Sequence, residues 1–156
     1  TYGIAPSGQR TQTAKIQKFL IPALSLKTRV SLVKNIPAGK TLSYGHTFVA
    51  PASMRIATLT AGYGDGYHRA ISGRGSVLIH GIMCPILGRI TMDQMIVDVS
   101  SVEGVSSGDE AVLIGKQGKE EISASLVAGW ADTIPWEVLT SISHRVRRIY
   151  LGISAS

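Results

Sequence analysis

Tyrosines set among glycines are the residues in this sequence whose types and spacing most suggest chemistry. Tyr44 precedes Gly45 at the end of a turn-rich segment, and Tyr63 and Tyr67 lie in the run GYGDGY, where three glycines fall within five residues. Because glycine has no side chain, such a backbone can approach another surface closely. A phenol there could exchange a hydrogen bond or a proton with a ligand. An ordinary loop with aromatic anchors is the alternative interpretation of the same spacing.

Few other side chains in the sequence carry chemistry. Asp93 lies beside apolar residues expected inside a strand, and a buried carboxylate needs a partner, for which Arg89 is close in sequence. A purely structural ion pair would explain the same two residues. The four histidines are not at metal-ligand spacings, and no G-x-S-x-G, P-loop or H-E-x-x-H motif occurs, so we expect no metal site. The single cysteine, Cys84, excludes an internal disulfide, and we expect a small buried side chain there.

Short strands must position these candidates. Alternation of apolar and polar residues predicts a half-buried first strand, and its inward-facing side chains are Leu24, Leu26, Thr28, Val30 and Leu32. Further strands are predicted at 42–49, 55–61, 76–79, 83–87, 92–99, 111–114 and 146–151. His80 and Gly81 form a tight turn between two of them.

Two short helices are predicted near the end of the chain. Ser123 can cap a helix over 124–130, and Thr133 can cap a second over 136–143 with Pro135 in its first turn. Short strands spaced about 8–12 residues apart are typical of a β-barrel or sandwich. The 17 glycines that punctuate them favour the same class, with one or two small helices added.

Length and composition bound the fold class. The chain has 156 residues, of which 44% are hydrophobic and 17% charged, and this predicts one globular domain. A (β/α)₈ barrel needs about 250 residues, so an enzyme of that class would not fit. Thr1 in first position fits a processed or partial chain. No apolar run reaches the roughly 18 residues of a membrane span, and no signal peptide is visible, so we expect a soluble, cytoplasmic protein.

The net charge of +6 comes from sixteen Lys and Arg against ten Asp and Glu, most of the basic residues being scattered singly. The one basic cluster contains Arg145, Arg147 and Arg148. It could be an anion or nucleic-acid patch, or a solvated face or an interface with an acidic partner. No zinc finger or basic helix accompanies it, so we expect no nucleic-acid binding.

Beyond these patterns, the chain resembles a known family in a series of motifs that occur in order. They are PALSLKTRV at 22–30, SYG at 43–45, GYGDGYHR at 62–69, PILGRITMDQ at 85–94, GDE at 108–110, TIPWE at 133–137 and RVRR at 145–148. Together they resemble the C-terminal domain of alanine racemases. Tyr2 and Gly3, with Pro6, resemble the exit from the last strand of that family's barrel domain.

The resemblance implies a mainly β, barrel-like domain with one or two short helices. It implies residues 1–20 as a junction after a barrel domain absent from this chain, 21–151 as the β-domain, and 152–156 as a tail. In this family an N-terminal (β/α)₈ barrel carries the lysine that binds pyridoxal 5′-phosphate (PLP). The C-terminal domain completes the partner subunit's active site in a head-to-tail homodimer that supplies D-alanine for peptidoglycan. The isolated chain is therefore expected to be inactive.

The resemblance also implies roles for individual residues. Tyr44 matches the catalytic base on the face of the cofactor opposite the lysine, and racemisation needs one base on each face. A phenol with an ordinary pKa near 10 must be tuned to act so at neutral pH. Met92 matches a residue whose backbone contacts the substrate carboxylate, and Asp93 would order neighbouring groups.

Three further positions match the family's substrate access channel, namely Tyr63, Arg69 and Arg89. Arginines there can attract an anionic amino acid, and a narrow channel favours a small side chain. Trp136 stands where a tyrosine usually contacts the cofactor phosphate, which puts that contact in doubt. Arg147 replaces a frequent proline, so the last strand could pair differently there.

Three functional hypotheses remain open at this point. The first is an alanine racemase, and the second is a related racemase acting on serine or another small amino acid. The third is a non-catalytic β-barrel that binds a partner. The combination of Tyr44, Met92 and Asp93 argues against the third, because a pure scaffold does not need it.

Overall fold

The computed structural model describes residues 21–151. The predicted exit strand at Tyr2 and Gly3, the irregular segment 11–19 and the tail at 152–156 lie outside these residues. The predicted domain boundaries therefore stay predictions.

Nine strands and two helices form the described part of the chain. The strands are β1 (Leu26–Ile36), β2 (Thr41–Leu42), β3 (Phe48–Val49), β4 (Met54–Leu59), β5 (Ser76–Ile79), β6 (Ile82–Leu87), β7 (Met95–Asp98), β8 (Glu110–Gln117) and β9 (Glu120–Ile122). The helices are α1 (Ala124–Ala131) and α2 (Pro135–Ser141).

The main sheet closes on itself because β1 pairs with two neighbours. Its first half, Leu26–Arg29, pairs with β8, and its second half, from Val30 to Ile36, pairs with β4. The order β1-β4-β7-β6-β5-β8 thus returns to β1, and every pairing is antiparallel. Closure removes the free edges of the six strands. The prediction of a mainly β, barrel-like domain with short helices is confirmed.

A bulge in β1 corrects one part of the predicted strand pattern. The register shifts between Val30 and Leu32, so the side chains beyond it change face. Leu32, predicted to face inward, is 49% exposed, and Val33 packs against the core instead. The bulge lies where β1 passes from one partner strand to the other.

The predicted strand 42–49 is a hairpin, not one strand. β2 and β3 pair through Thr41–Val49 and Leu42–Phe48, and a 3₁₀ turn at Tyr44–His46 joins them. Ser43, Gly45 and His46 all have positive φ, which a continuous strand cannot accommodate.

Two other predicted strands are shorter or missing. The strand predicted at 92–99 begins only at Met95, because the Thr91 hydroxyl bonds the backbone of Gln94 and holds the preceding residues in a turn. Residues 146–151 form no strand. The Arg148 guanidinium donates to the carbonyls of Ile142 and Val146, which holds that segment in an irregular path. The short, charged β9 was not predicted.

The helices agree with the sequence except in one cap. The Ser123 hydroxyl accepts from the Leu126 N–H at 3.1 Å, as the predicted cap requires. The second helix begins at Pro135 and ends at Ser141, with Ile134 as its N-cap. Thr133 is not the cap, because its hydroxyl bonds the Glu137 carboxylate.

The apolar interior forms two clusters. The larger fills the barrel and includes one face of α1. The smaller lies under the β2–β3 hairpin and contains Ile36, Leu42, Ala50, Ile56 and Leu87, with Phe48 packed against it. Leu42 and Phe48 flank the Tyr44 turn, so burial of these two side chains anchors the turn to the barrel.

Cys84 provides a test of the barrel interior. Its side chain is 0% exposed, and burial, together with the nearby Asp98 carboxylate, raises the pKa of the thiol to about 11. Because the thiolate is the reactive form, we expect no reaction with Ellman's reagent at pH 8 in the folded chain. The same chain in denaturant should release one equivalent of chromophore. Rapid labelling under native conditions would contradict the packing of β6.

Candidate functional site

An open cleft of about 660 Å³ lies at one rim of the barrel. Its lining residues are Tyr44, Tyr63, Arg69, Arg89, Ile90, Thr91, Met92 and Asp93. Six of the seven site residues predicted from sequence therefore meet around one cleft. The seventh, Trp136, lies half-buried on α2 and is not among the lining residues.

Tyr44 stands on the hairpin side of the cleft with 72% of its surface exposed. The turn that carries it is closed by a bond of 2.9 Å between His46 Nδ1 and Thr41 Oγ1. Ser43, just before it, has φ 65° and ψ 172°, a region occupied almost only by glycine. Holding another residue there costs of order 1–3 kcal/mol, so the surrounding contacts must fix it.

Tyr63 and Met92 are placed by a short run of backbone bonds. The Tyr63 N–H donates to the Thr91 carbonyl at 3.0 Å, and the Gly64 N–H donates to the Met92 carbonyl at 2.8 Å. The Met92 N–H makes no hydrogen bond within the described residues. A main-chain donor beside the cleft therefore remains available to an anion.

Asp93 differs from its predicted setting. It is exposed, and its carboxylate pairs with Arg145, not with Arg89. The Arg145 Nε also lies 3.5 Å from Asp65 Oδ1. The hydrogen bond to Asp93, then the charge of Asp65, raises the pKa of Arg145. Arg145 thus ties the Met92 turn to the Tyr63 turn.

The basic cluster is consequently not one continuous patch. Arg145 faces two carboxylates, and Arg148 donates to backbone carbonyls. The Arg147 guanidinium makes no hydrogen bond within residues 21–151. These contacts indicate that Arg145 and Arg148 join segments of this chain and do not form an anion-binding surface.

Two arginines also line the cleft, and the Arg89 guanidinium lies against the turn that carries Tyr44. The Ser72 hydroxyl donates to the Arg69 carbonyl at 2.5 Å and accepts from the Ile90 N–H at 3.0 Å. This joins the turn that carries Arg69 to the segment that carries Arg89. Both guanidinium groups are exposed and make no hydrogen bond to a described residue, so both can meet an anion. The roles of Ser72 and Arg145 could not be predicted, because each depends on a partner remote in sequence.

Two structural findings exclude particular features of residues 21–151. In that range, no three or more His, Cys, Asp or Glu side chains are grouped so as to hold a metal ion. No helix there is long and apolar enough to cross a membrane.

Comparison with known proteins identifies the family. A model of the family described as "Alanine racemase, C-terminal domain" matches residues 23–150. The chain belongs to this family. It is 54% identical over 132 residues to the alanine racemase of Carboxydothermus hydrogenoformans, covering 85% of this chain and 36% of that protein. It is 53% identical over 136 residues to that of Symbiobacterium thermophilum, covering 87% and 36%.

Solved structures of the family share the fold. Alanine racemase from the D-cycloserine producer Streptomyces lavendulae superposes with a TM-score of 0.88 at 41% identity, covering 98% of this chain and 39% of that one. The Bacillus anthracis enzyme with bound L-Ala-P gives 0.82 at 40% identity, covering 93% and 36%. The chain thus spans little more than a third of the relatives' length.

The turns that carry Tyr63 and Met92 approach each other closely at Gly62, and a substitution there tests this contact. The Gly62 φ of −150° is open to any residue, but a Cβ there would overlap the Thr91 and Met92 carbonyls. We expect Gly62→Ala to lower the free energy of unfolding by roughly 1–3 kcal/mol, as overpacking does. Gly129→Ala is the control, because nothing lies within 4 Å of its Cβ position. That exposed helix change should stabilise by about 0.5–1 kcal/mol. Chemical denaturation would measure both, and equal effects would contradict the close approach.

Proposed function

We propose that this chain is the part of an alanine racemase that supplies one catalytic base and the substrate-facing wall of the active site. The observation that carries the proposal is the single cleft around which Tyr44, Met92 and the two arginines meet. Membership of the family supports it, as does the chain's coverage of about a third of each relative, which leaves room in those proteins for a domain that completes the site.

Tyr44 would move a proton at the substrate Cα. Its phenol projects from the hairpin into the open cleft and makes no hydrogen bond within the described residues, so it is free to meet a substrate. An unperturbed phenol is a weak base at neutral pH. Arg89 lines the same cleft and brings positive charge to it.

Met92 and the arginines would hold the substrate carboxylate. The Met92 N–H points to no partner in residues 21–151, and a backbone donor suits a carboxylate in a site from which water is excluded. Arg69 and Arg89 add positive charge where the substrate approaches. Asp93 is occupied by Arg145, so its role would be to fix the Met92 turn and not to bind substrate directly.

The residues of the cleft fit the substrate side of a PLP site. When bound, PLP would stabilise the carbanion formed as the Cα proton leaves. The lining residues contain phenol, guanidinium and backbone donors but no lysine amine, so the family's cofactor lysine would belong to the barrel domain. Trp136 remains a candidate for a phosphate contact through its indole N–H.

The cleft is open, so a second surface is needed to exclude water from it. We assign that surface to the barrel domain of a partner subunit, so the assembled protein would be a homodimer. We place this homodimer in the cytoplasm. The exposed Tyr44, Tyr63 and Met92 side chains support this assignment, because large apolar groups grouped on one rim are typical of a covered surface. Serine remains an alternative substrate to alanine.

Tyr44→Phe in the full-length protein tests the base. We expect racemisation of alanine to fall by roughly 10²–10⁴-fold, the usual contribution of a general base. In D₂O, one enantiomer should lose exchange of its Cα proton, while the other, served by the lysine, should still exchange with retention. L- and D-alanine have equal free energies, so the kcat/KM values of the two directions must stay equal in any variant. The different roles of the two bases are therefore measured from Cα proton exchange and not from kcat/KM.

Tyr150→Phe is the matched control, since that tyrosine is exposed and does not line the cleft. Exchange of both enantiomers by Tyr44→Phe at the wild-type rate would overturn the base role. Parallel assays with serine would distinguish the two substrates.

The 156-residue chain by itself should not racemise alanine, even with added PLP. The reason is that the cleft supplies one acid–base group, whereas inversion at Cα needs a base that removes the proton on one face and an acid that returns a proton on the other. Coupled detection of D-alanine would check this. Turnover by the purified chain would show that the proposed division between domains is wrong.

A further inference from the structure

Ser43 combines backbone strain with a bridge between two segments of the cleft. Its φ of 65° and ψ of 172° are normally found only in glycine. Its hydroxyl donates to the Arg89 carbonyl at 2.6 Å and accepts from the Arg89 N–H at 2.9 Å. One hydroxyl therefore satisfies both backbone polar groups of a residue 46 positions away.

The two segments are also in close steric contact. A Cβ at Gly88 would lie 2.7 Å from the Ser43 Cβ, and Gly88 itself has φ 64°. A Cβ at Gly45 would lie 3.5 Å from the Arg89 guanidinium. The missing side chain of Gly88 thus allows the hairpin turn to lie against the end of β6, and the Ser43 hydroxyl fixes it there.

This bridge matters for Tyr44 because the phenol has no other anchor. It makes no hydrogen bond within residues 21–151 and is mostly exposed, so its place is set by the backbone that carries it. Leu42 and Phe48 hold the base of the hairpin in the smaller apolar cluster. The His46–Thr41 bond closes the turn within the hairpin, and the Ser43 hydroxyl joins the turn to Arg89.

We infer that Ser43 is a positioning residue that sets the distance between the Tyr44 phenol and the Arg89–Asp93 side of the cleft. The inference rests on the proposed base role of Tyr44. A base displaced by about 1 Å can lose up to 10²-fold in rate, so a small shift of the turn would suffice.

Ser43→Ala and Ser43→Gly in the full-length protein test this. Both remove the hydroxyl, but glycine also relieves the backbone strain, so Ser43→Gly should fold at least as well as wild type. We expect both to lower kcat by roughly 10- to 100-fold. Ser100→Ala is the matched control, because the Ser100 hydroxyl bonds both backbone groups of Arg55 in the same way, away from the cleft. It should leave kcat within about 2-fold.

Proton exchange in D₂O separates positioning from loss of folded protein. Misfolding slows exchange of both enantiomers equally, whereas a displaced Tyr44 slows only the enantiomer that Tyr44 serves. The Ser43→Ala change should also have no further effect in the Tyr44→Phe background, since residues that act through one another are not additive.

The outcomes distinguish the two proposals. If Tyr44→Phe abolishes exchange of one enantiomer but Ser43→Gly matches wild type in kcat and in both exchange rates, only the Ser43 inference fails. If Ser43→Gly slows both enantiomers equally, Ser43 is structural and the inference also fails. If Tyr44→Phe racemises normally, the base role fails and the inference fails with it.

Discussion

The double pairing of β1 is the constraint on which the rest of this domain depends. One strand of 11 residues pairs with β8 along its first half and with β4 along its second, and this closes the sheet. The bulge after Val30 lies where β1 changes from one partner strand to the other, and it exposes Leu32. Closure fixes the positions of the strand ends, so the turns that leave the barrel have defined places from which to build a cleft.

The site is assembled from turns held by backbone contacts, not from the barrel itself. Among the described residues the buried side chains are apolar except for the Cys84 thiol and the Tyr67 hydroxyl, so the interior mainly provides packing. At the rim, hydroxyls of Ser43 and Ser72 bond main-chain groups of neighbouring turns, and glycines let those turns approach. The cleft side chains can stay exposed because other groups fix the turns that carry them, namely the two serine hydroxyls, the Arg145 guanidinium and main-chain bonds.

The strands and the cleft residues could be predicted from the sequence better than the contacts that join them in the fold. Alternation and short apolar runs next to turn residues are local signals, so they found β4, β5, β6 and β8. They could not find closure through β1, which joins segments about 80 residues apart. Asp93 illustrates the same limit, since proximity in sequence suggested Arg89, whereas the fold brings Arg145. The cleft residues were found through resemblance of motifs, because the spacing of the tyrosines alone favoured an ordinary loop.

Separation of scaffold and site would allow this domain to supply half of an active site, as proposed above. A side chain that is mostly exposed, as Tyr44 is, adds little to the stability of its own domain, so its chemistry can be specified independently of the core. Such a side chain must still be held in the right position. Here that depends on the strained or tightly packed backbone at Ser43, Gly62 and Gly88. Strain of this kind persists only where surrounding contacts over-determine it. The barrel supplies those contacts at the rim that carries the proposed site.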